Sequence, residues 1–160
     1  MTRSHLLMVA SYSLALTAAY LSLPLFSEFT VLVQVLLADV IATCVVFAFS
    51  LSFRNSSFYD PYWSLIPIFI GLYFVGISIG ADIWRQILAI SVVGIWGIRL
   101  TANFFYTWEG LEHQDWRYID LKVRSGVFWQ PVNFFGIHLI PTLIVFFACV
   151  PLYYALSAGT

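Results

Sequence analysis

Five apolar runs, each long enough to cross a bilayer, divide this chain almost from end to end. A hydrocarbon core about 30 Å thick takes roughly 20 helical residues at 1.5 Å each. The runs fall at about residues 5–26, 30–53, 62–80, 83–106 and 131–155. Inside a bilayer every backbone N–H and C=O needs a partner within the protein, and a helix supplies one locally. The expected fold is therefore all-α: one polytopic integral membrane bundle of about five transmembrane helices. Composition points the same way, since 61% of residues are hydrophobic and 9% are charged. Soluble domains run nearer half apolar and a quarter charged.

The first run follows Arg3 and is longer than the roughly 7–15 residues of a signal-peptide core, so it reads as a retained span. Pro24 with Ser27 and Glu28, the polar segment Arg54 to Pro61, and Ala81-Asp82 break the runs, and His138 and Pro141 are expected to interrupt the last one. Gly71, Gly76 and Gly80 are candidates for close helix approach, with Gly76 and Gly80 in a strict Gly-x-x-x-Gly spacing. Cys44 and Cys149 lie deep in apolar runs and read as small buried hydrophobes rather than a redox pair.

Seven of the 15 charged residues crowd into one stretch, Trp108 to Gly126: Glu109, Glu112, Asp115, Arg117, Asp120, Lys122 and Arg124. It reads as a polar loop over residues 107–130, with Trp108, Trp116, Tyr118 and Trp129 at headgroup level. Five crossings put Arg3, Arg54, Arg117, Lys122 and Arg124 on one side and leave Arg85 on the other. Basic residues gather in cytosolic loops, so the N-terminus and loop 107–130 are expected in the cytosol. A net charge of −1 implies no nucleic-acid partner.

Two ionisable residues fall in or near the hydrocarbon. A charge at the bilayer centre costs roughly 2.5–3.5 kcal/mol on insertion scales, so such residues seek protein or water. Arg99 shares a helical stripe with Asn103 and Tyr106 at i, i+4 and i+7, which is expected to point inward and line a polar cavity. The alternative is an arginine that snorkels to the headgroups. Asp39 reads as a neutral or hydrogen-bonded structural acid, and His138 as a helix–helix hydrogen bonder. Three histidines are too few for the di-metal sites of membrane desaturases, and Glu112-His113 with Asp115 matches no ligand motif, so no metal is expected. No phosphate-binding glycine loop and no Gly-x-Ser-x-Gly elbow occurs.

Two motifs carry a resemblance. One is Asn55-Ser56-Ser57-Phe58-Tyr59-Asp60-Pro61-Tyr62-Trp63; the other is Trp96-Gly97-Ile98-Arg99-Leu100-Thr101-Ala102-Asn103, continuing as Gly110-Leu111-Glu112-His113-Gln114-Asp115-Trp116-Arg117-Tyr118. From the second span onward the chain resembles a bacterial family of uncharacterised membrane proteins allied to the steroid 5α-reductases. The resemblance implies a multi-helix fold in a bacterial inner membrane. It also implies NADPH-dependent reduction of a carbon–carbon double bond conjugated to a carbonyl in a lipid or sterol. Relatives on the same fold methylate lipidic thiols.

Members of that family continue past the position of Thr160, and the further part carries an Arg-His-Pro-x-Tyr motif and much of the cofactor site. No Arg-His-Pro occurs here. The expectation is a truncated or split member with no cofactor on this chain alone, and NADPH if the further part is supplied. Tyr118, Glu112 and Asp115 are then candidate catalytic residues. Arg99, Arg117 and Asn103 are candidates for cofactor binding, because a guanidinium matches phosphate bidentately. Asp60, Trp63, Asp39 and His138 are substrate-side or structural polar positions. The alternative for each charged residue is an ion pair that ties the loop over the helix ends. Two functions follow: a non-catalytic subunit that packs membrane lipids, other membrane subunits or a second copy, or the substrate-side half of a reductase of an enone lipid.

Overall fold

The computed structural model describes residues 3–157, and these are helical nearly throughout. Helix α1 spans Arg3–Ser22 and runs on through a 3-10 turn, Leu23–Phe26. Then come α2 (Val31–Phe53), α3 (Tyr62–Ile77) and α4 (Ile83–Thr107). A shorter helix, α5 (Trp116–Ser125), follows. The last span joins three pieces end to end: the single turn α6 (Trp129–Pro131), a π-helical stretch Val132–Leu139, and α7 (Ile140–Ser157). Among the described residues, five segments are long and apolar enough to cross a membrane.

The helix ends sort onto two faces. At one, Leu111 N–H donates to Ser4 Oγ (3.3 Å) and the Asn55 amide donates to the carbonyl oxygens of Leu111 and His113 (2.8 and 3.0 Å). The start of α1, the 54–61 segment and the 108–115 segment thus share one end. At the other, Arg85 Nε donates to Ala155 O (2.7 Å) and Gln86 Nε2 to Leu156 O (3.0 Å). Arg3, Arg54 and the basic residues of α5 therefore lie at the end opposite Arg85, as five crossings require.

Helix α1 packs along α2, while α3 sits between α4 and α7, and α7 returns to α2. Between them the core is Met8, Tyr12, Val46, Phe58, Tyr62, Phe74 and Phe146, all buried. Polar side chains in this core pair across helices. The Thr43 and Thr142 hydroxyls share a hydrogen bond (2.8 Å), Tyr59 OH reaches Thr142 (2.8 Å), and Tyr62 OH donates to Asp39 Oδ1 (2.6 Å).

Three expectations are corrected. The 107–130 stretch is not all loop. Asp115 caps α5 by accepting from Arg117 N–H (2.8 Å), Lys122 and Arg124 occupy its last turn, and Gly126 ends it at φ +50°. Those are ordinary helix start and stop signals. The last span is not interrupted at His138 and Pro141. It widens into a π stretch, in which Ile140 N–H bonds to Phe135 O five residues back. A wider turn makes room for the proline ring next in line, which would otherwise strike the carbonyl four residues earlier. Finally, Gly76 faces open space and Gly80 lies in a turn at φ +81°, so neither brings helices together.

Gly71, the third candidate, does bring helices together, and Gly97 does so as well. A Cβ on Gly71 would sit 2.8 Å from Ile90 Cδ1, and one on Gly97 would strike the Ser64 carbonyl oxygen and stand 2.9 Å from Ile68 Cδ1. The Ser64 oxygen belongs to the α3 backbone and cannot swing aside. Gly97→Ala should therefore lower the thermal midpoint of the detergent-solubilised protein by the equivalent of about 1–3 kcal/mol, the usual cost of overpacking. Gly94→Ala, with nothing within 4 Å of the new carbon, should leave the midpoint unchanged or raise it.

Candidate functional site

The 55–61 segment is short, polar and largely buried, which demands that its hydrogen bonds be met by neighbours. Asn55 begins it and meets three at once. Its Oδ1 accepts from Ser57 N–H (2.9 Å), and its amide holds the two carbonyl oxygens of the 111–113 strip. Ser56 Oγ donates to Asn133 Oδ1 in the π stretch (2.9 Å) and Tyr12 OH donates to Phe58 O (2.8 Å). Ser57 Oγ accepts from Asp115 N–H (3.3 Å). So clamped, the segment delivers Asp60 to the head of α3.

Helix α5 brings the second half of the site. Tyr118 OH donates to Asp60 Oδ1 in a short hydrogen bond. Asp115 receives Arg117 bidentately, Nε at 2.9 Å and Nη2 at 2.7 Å, and this pairing holds the Asp115 carboxyl below the usual carboxylate range. The outer side of α5 is apolar and uncovered, with Trp116 73% and Val123 77% exposed. That geometry suits a helix lying along the membrane surface.

Between α3, α4 and these segments lies a cavity of about 320 Å³. Its walls include Asp60, Trp63, Asn103, Trp108, Asp115 and Arg117. Trp108 is buried, and its indole N–H has no hydrogen-bond partner among the described residues. The cavity thus joins the Asp60 carboxyl, held from behind the wall by Tyr118, with Trp108 and a carboxyl–guanidinium pair beneath aromatic rings. It can hold and polarise an acceptor such as a carbonyl oxygen.

The structure brings together Asp60, Trp63, Asn103, Asp115, Arg117 and Tyr118 from the sequence candidates. Glu112 is exposed on its loop, away from the cavity walls. Asp39 and His138 are buried within the bundle. His138 Nδ1 lies 3.0 Å from Asn133 O and so carries the proton, leaving Nε2 to meet the Ser50 hydroxyl at 3.0 Å. The stripe of Arg99, Asn103 and Tyr106 does not point inward. Gly97 and Thr101 face α3, with the Thr101 hydroxyl 2.9 Å from Ser64 Oγ. Two residues on from Gly97 is about 200° around the helix. Arg99 is therefore exposed on the outer side, Tyr106 is 91% exposed, and Asn103 reaches the cavity only at its rim.

Sequence reasoning overlooked the clamp. Asn55, followed two residues later by Ser57, is the pattern of an Asx turn, and that signal could have marked it. Nothing in the sequence marks Asn133 as the partner of Ser56. Asn55→Ala should cost roughly 2–4 kcal/mol through the backbone groups it leaves buried and unpaired. Hydrogen exchange should report this as faster exchange in residues 56–60 and 111–115, while the amides of α2 keep their protection.

Residues 46–160 match a family model described as a protein of unknown function (DUF1295). The chain is also similar to the uncharacterised protein C594.04c of Schizosaccharomyces pombe, with 27% identity over 129 residues. That alignment takes in 78% of this chain but 37% of the yeast protein, so the chain spans little more than a third of that relative's length. No solved structure matches. The matched region contains α3, α4, α5 and the whole cavity wall, and on this ground the chain belongs to the DUF1295 family.

Proposed function

We propose that this chain is the substrate-side part of a larger membrane-embedded reductase, and that its cavity holds the carbonyl end of a conjugated lipid or sterol. The observation that carries this reading is the Tyr118–Asp60 pair beside the unpartnered Trp108 N–H. Reducing an enone adds a hydride to the β-carbon and a proton to the α-carbon. Drawing charge onto the carbonyl oxygen makes the β-carbon electrophilic, and a fixed donor in a water-poor site does this well. In this reading the Tyr118 hydroxyl, which has a single proton, exchanges its bond to Asp60 for one to the carbonyl oxygen, and Trp108 offers a second hydrogen bond. Trp63 and Phe104 give the lipid an apolar wall.

The residues present do not by themselves fit a dinucleotide. Arg117 is already engaged by Asp115, Arg99 faces outward, and about 320 Å³ is near the lower limit of ligand pockets. If NADPH serves this protein, it is held largely by groups other than these. The cavity end would face the cytosol of a bacterial inner membrane, in keeping with its five basic side chains.

A second reading is favoured by α4. Of its residues only Gln86 and Gly97 are buried. An outer face carrying Arg99 and Tyr106 among Ile95, Ile98 and Val92 is poorly matched to lipid tails and suits cover by other membrane helices or a second copy. On that reading the chain is a non-catalytic packing subunit.

The two separate by ligand binding. The intact protein in lipid nanodiscs should bind an enone sterol more tightly than the matching hydrocarbon lacking the carbonyl. Tyr118→Phe should weaken enone binding by about tenfold, the equivalent of one hydrogen bond to a charged or strongly polarised group, without lowering the thermal midpoint comparably. Equal affinity for both lipids, or an unchanged Tyr118→Phe, would remove the substrate-side reading and leave the packing subunit.

A further inference from the structure

A second cavity, of about 410 Å³, lies between α1, α2 and α3 in the half of the bundle away from Asp60. Its walls are largely apolar, among them Leu16, Ala19, Val35, Ile66 and Phe69; Thr17, Tyr20 and Tyr73 add hydroxyls, and Asp39 adds the one carboxyl group. That residue is 2% exposed. Tyr62 OH satisfies its Oδ1, while Oδ2 is buried and has no hydrogen-bond partner among the described residues. Asp39 stands eight residues into α2, about 12 Å along the helix at 1.5 Å per residue, below the reach of bulk water and headgroups.

An unmatched oxygen at that depth is costly, and the hydrocarbon tail of a phospholipid cannot satisfy it. The walls set what can. Besides Asp39 they offer only the hydroxyls of Thr17, Tyr20 and Tyr73, of which Thr17 is engaged by Ser13 O; there is no cation to receive a phosphate and no further carboxyl to receive a second charge. A single hydroxyl fits. It accepts a hydrogen bond from Oδ2 when the acid is neutral and donates one when the acid is ionised, so it matches either state. We infer that this cavity is a binding site for a lipid alcohol, seated with its hydroxyl on Asp39 and its hydrocarbon body against α1 and α3. The site is separate from the cavity at Asp60 and does not depend on what that cavity does.

The test uses the intact protein in phospholipid nanodiscs. One probe is a long-chain alcohol bearing a photoactivatable diazirine; the other is the same chain ending in a methyl group. The alcohol should label α1 residues 16–23 or the middle of α3, and the methyl-ended chain should do so at least fivefold less, as expected for one hydrogen bond. Asp39→Leu should reduce labelling by the alcohol to the methyl-ended level, whereas Asp39→Asn, which keeps polar atoms for Tyr62 and for the hydroxyl, should retain most of it. Should Asp39→Leu not fold, Ala19→Phe blocks the cavity from the α1 side with the carboxyl intact, and it should abolish labelling there. Equal labelling by the two probes, absence of labelling, or labelling indifferent to Ala19→Phe would overturn the inference and leave water or the Tyr62 bond as the whole role of Asp39.

Discussion

A polar atom inside a bilayer has no water to turn to, and the interior of this bundle is arranged by that shortage. Thr43, Thr142 and Tyr59 share hydroxyls across three parts of the chain, Ser50 meets His138, and Ser56 meets Asn133. Each bond joins elements far apart in sequence, so the network fixes which helices are neighbours as well as satisfying atoms. Apolar contact alone would not, because lipid tails are as good a neighbour for leucine as another helix is. Small residues complete the arrangement where helices must touch, as Gly97 does against the α3 backbone.

The same rule explains the polar end. The 55–61 segment can be buried because Asn55, Ser56 and Ser57 each have a partner outside it. A buried backbone with a 3-10 turn at Ser56–Phe58 then becomes a rigid platform for Asp60. Helix α5 rests against that platform through Tyr118 and exposes Trp116, Ile119 and Val123 beside its charged Asp120, Lys122 and Arg124. A cavity built this way meets lipid on one side and charged loops on the other, which is where an amphiphile's polar end naturally lies.

Run length made the five crossings legible, and crossing parity placed the basic residues, since both depend only on hydrophobicity counted along the chain. Helix α5 was legible in its Asp115 cap and Gly126 stop, but its density of charge read as loop. The facing of α4 was not legible. Arg99, Asn103 and Tyr106 form a true helical stripe, yet which way a stripe turns is decided by the opposite face, where Gly97 fits Ser64. Nor was the Tyr118–Asp60 bond legible, for it links residues 58 apart through a platform whose own partners are equally distant. The π stretch before Pro141 depends on how a proline ring is accommodated in three dimensions, which local pattern does not encode.

The account rests on the polar segments at 54–61 and 108–126 forming one cap on one face of the membrane. Single cysteines at Arg54, Lys122 and Ala81, in a chain with Cys44 and Cys149 replaced, test this with a membrane-impermeant maleimide applied to sealed vesicles of one orientation. The account predicts that the Arg54→Cys and Lys122→Cys sites react from the same side and the Ala81→Cys site from the other. Reaction of the Arg54 and Lys122 positions from opposite sides would contradict the topology, and the cavity at Asp60 with it.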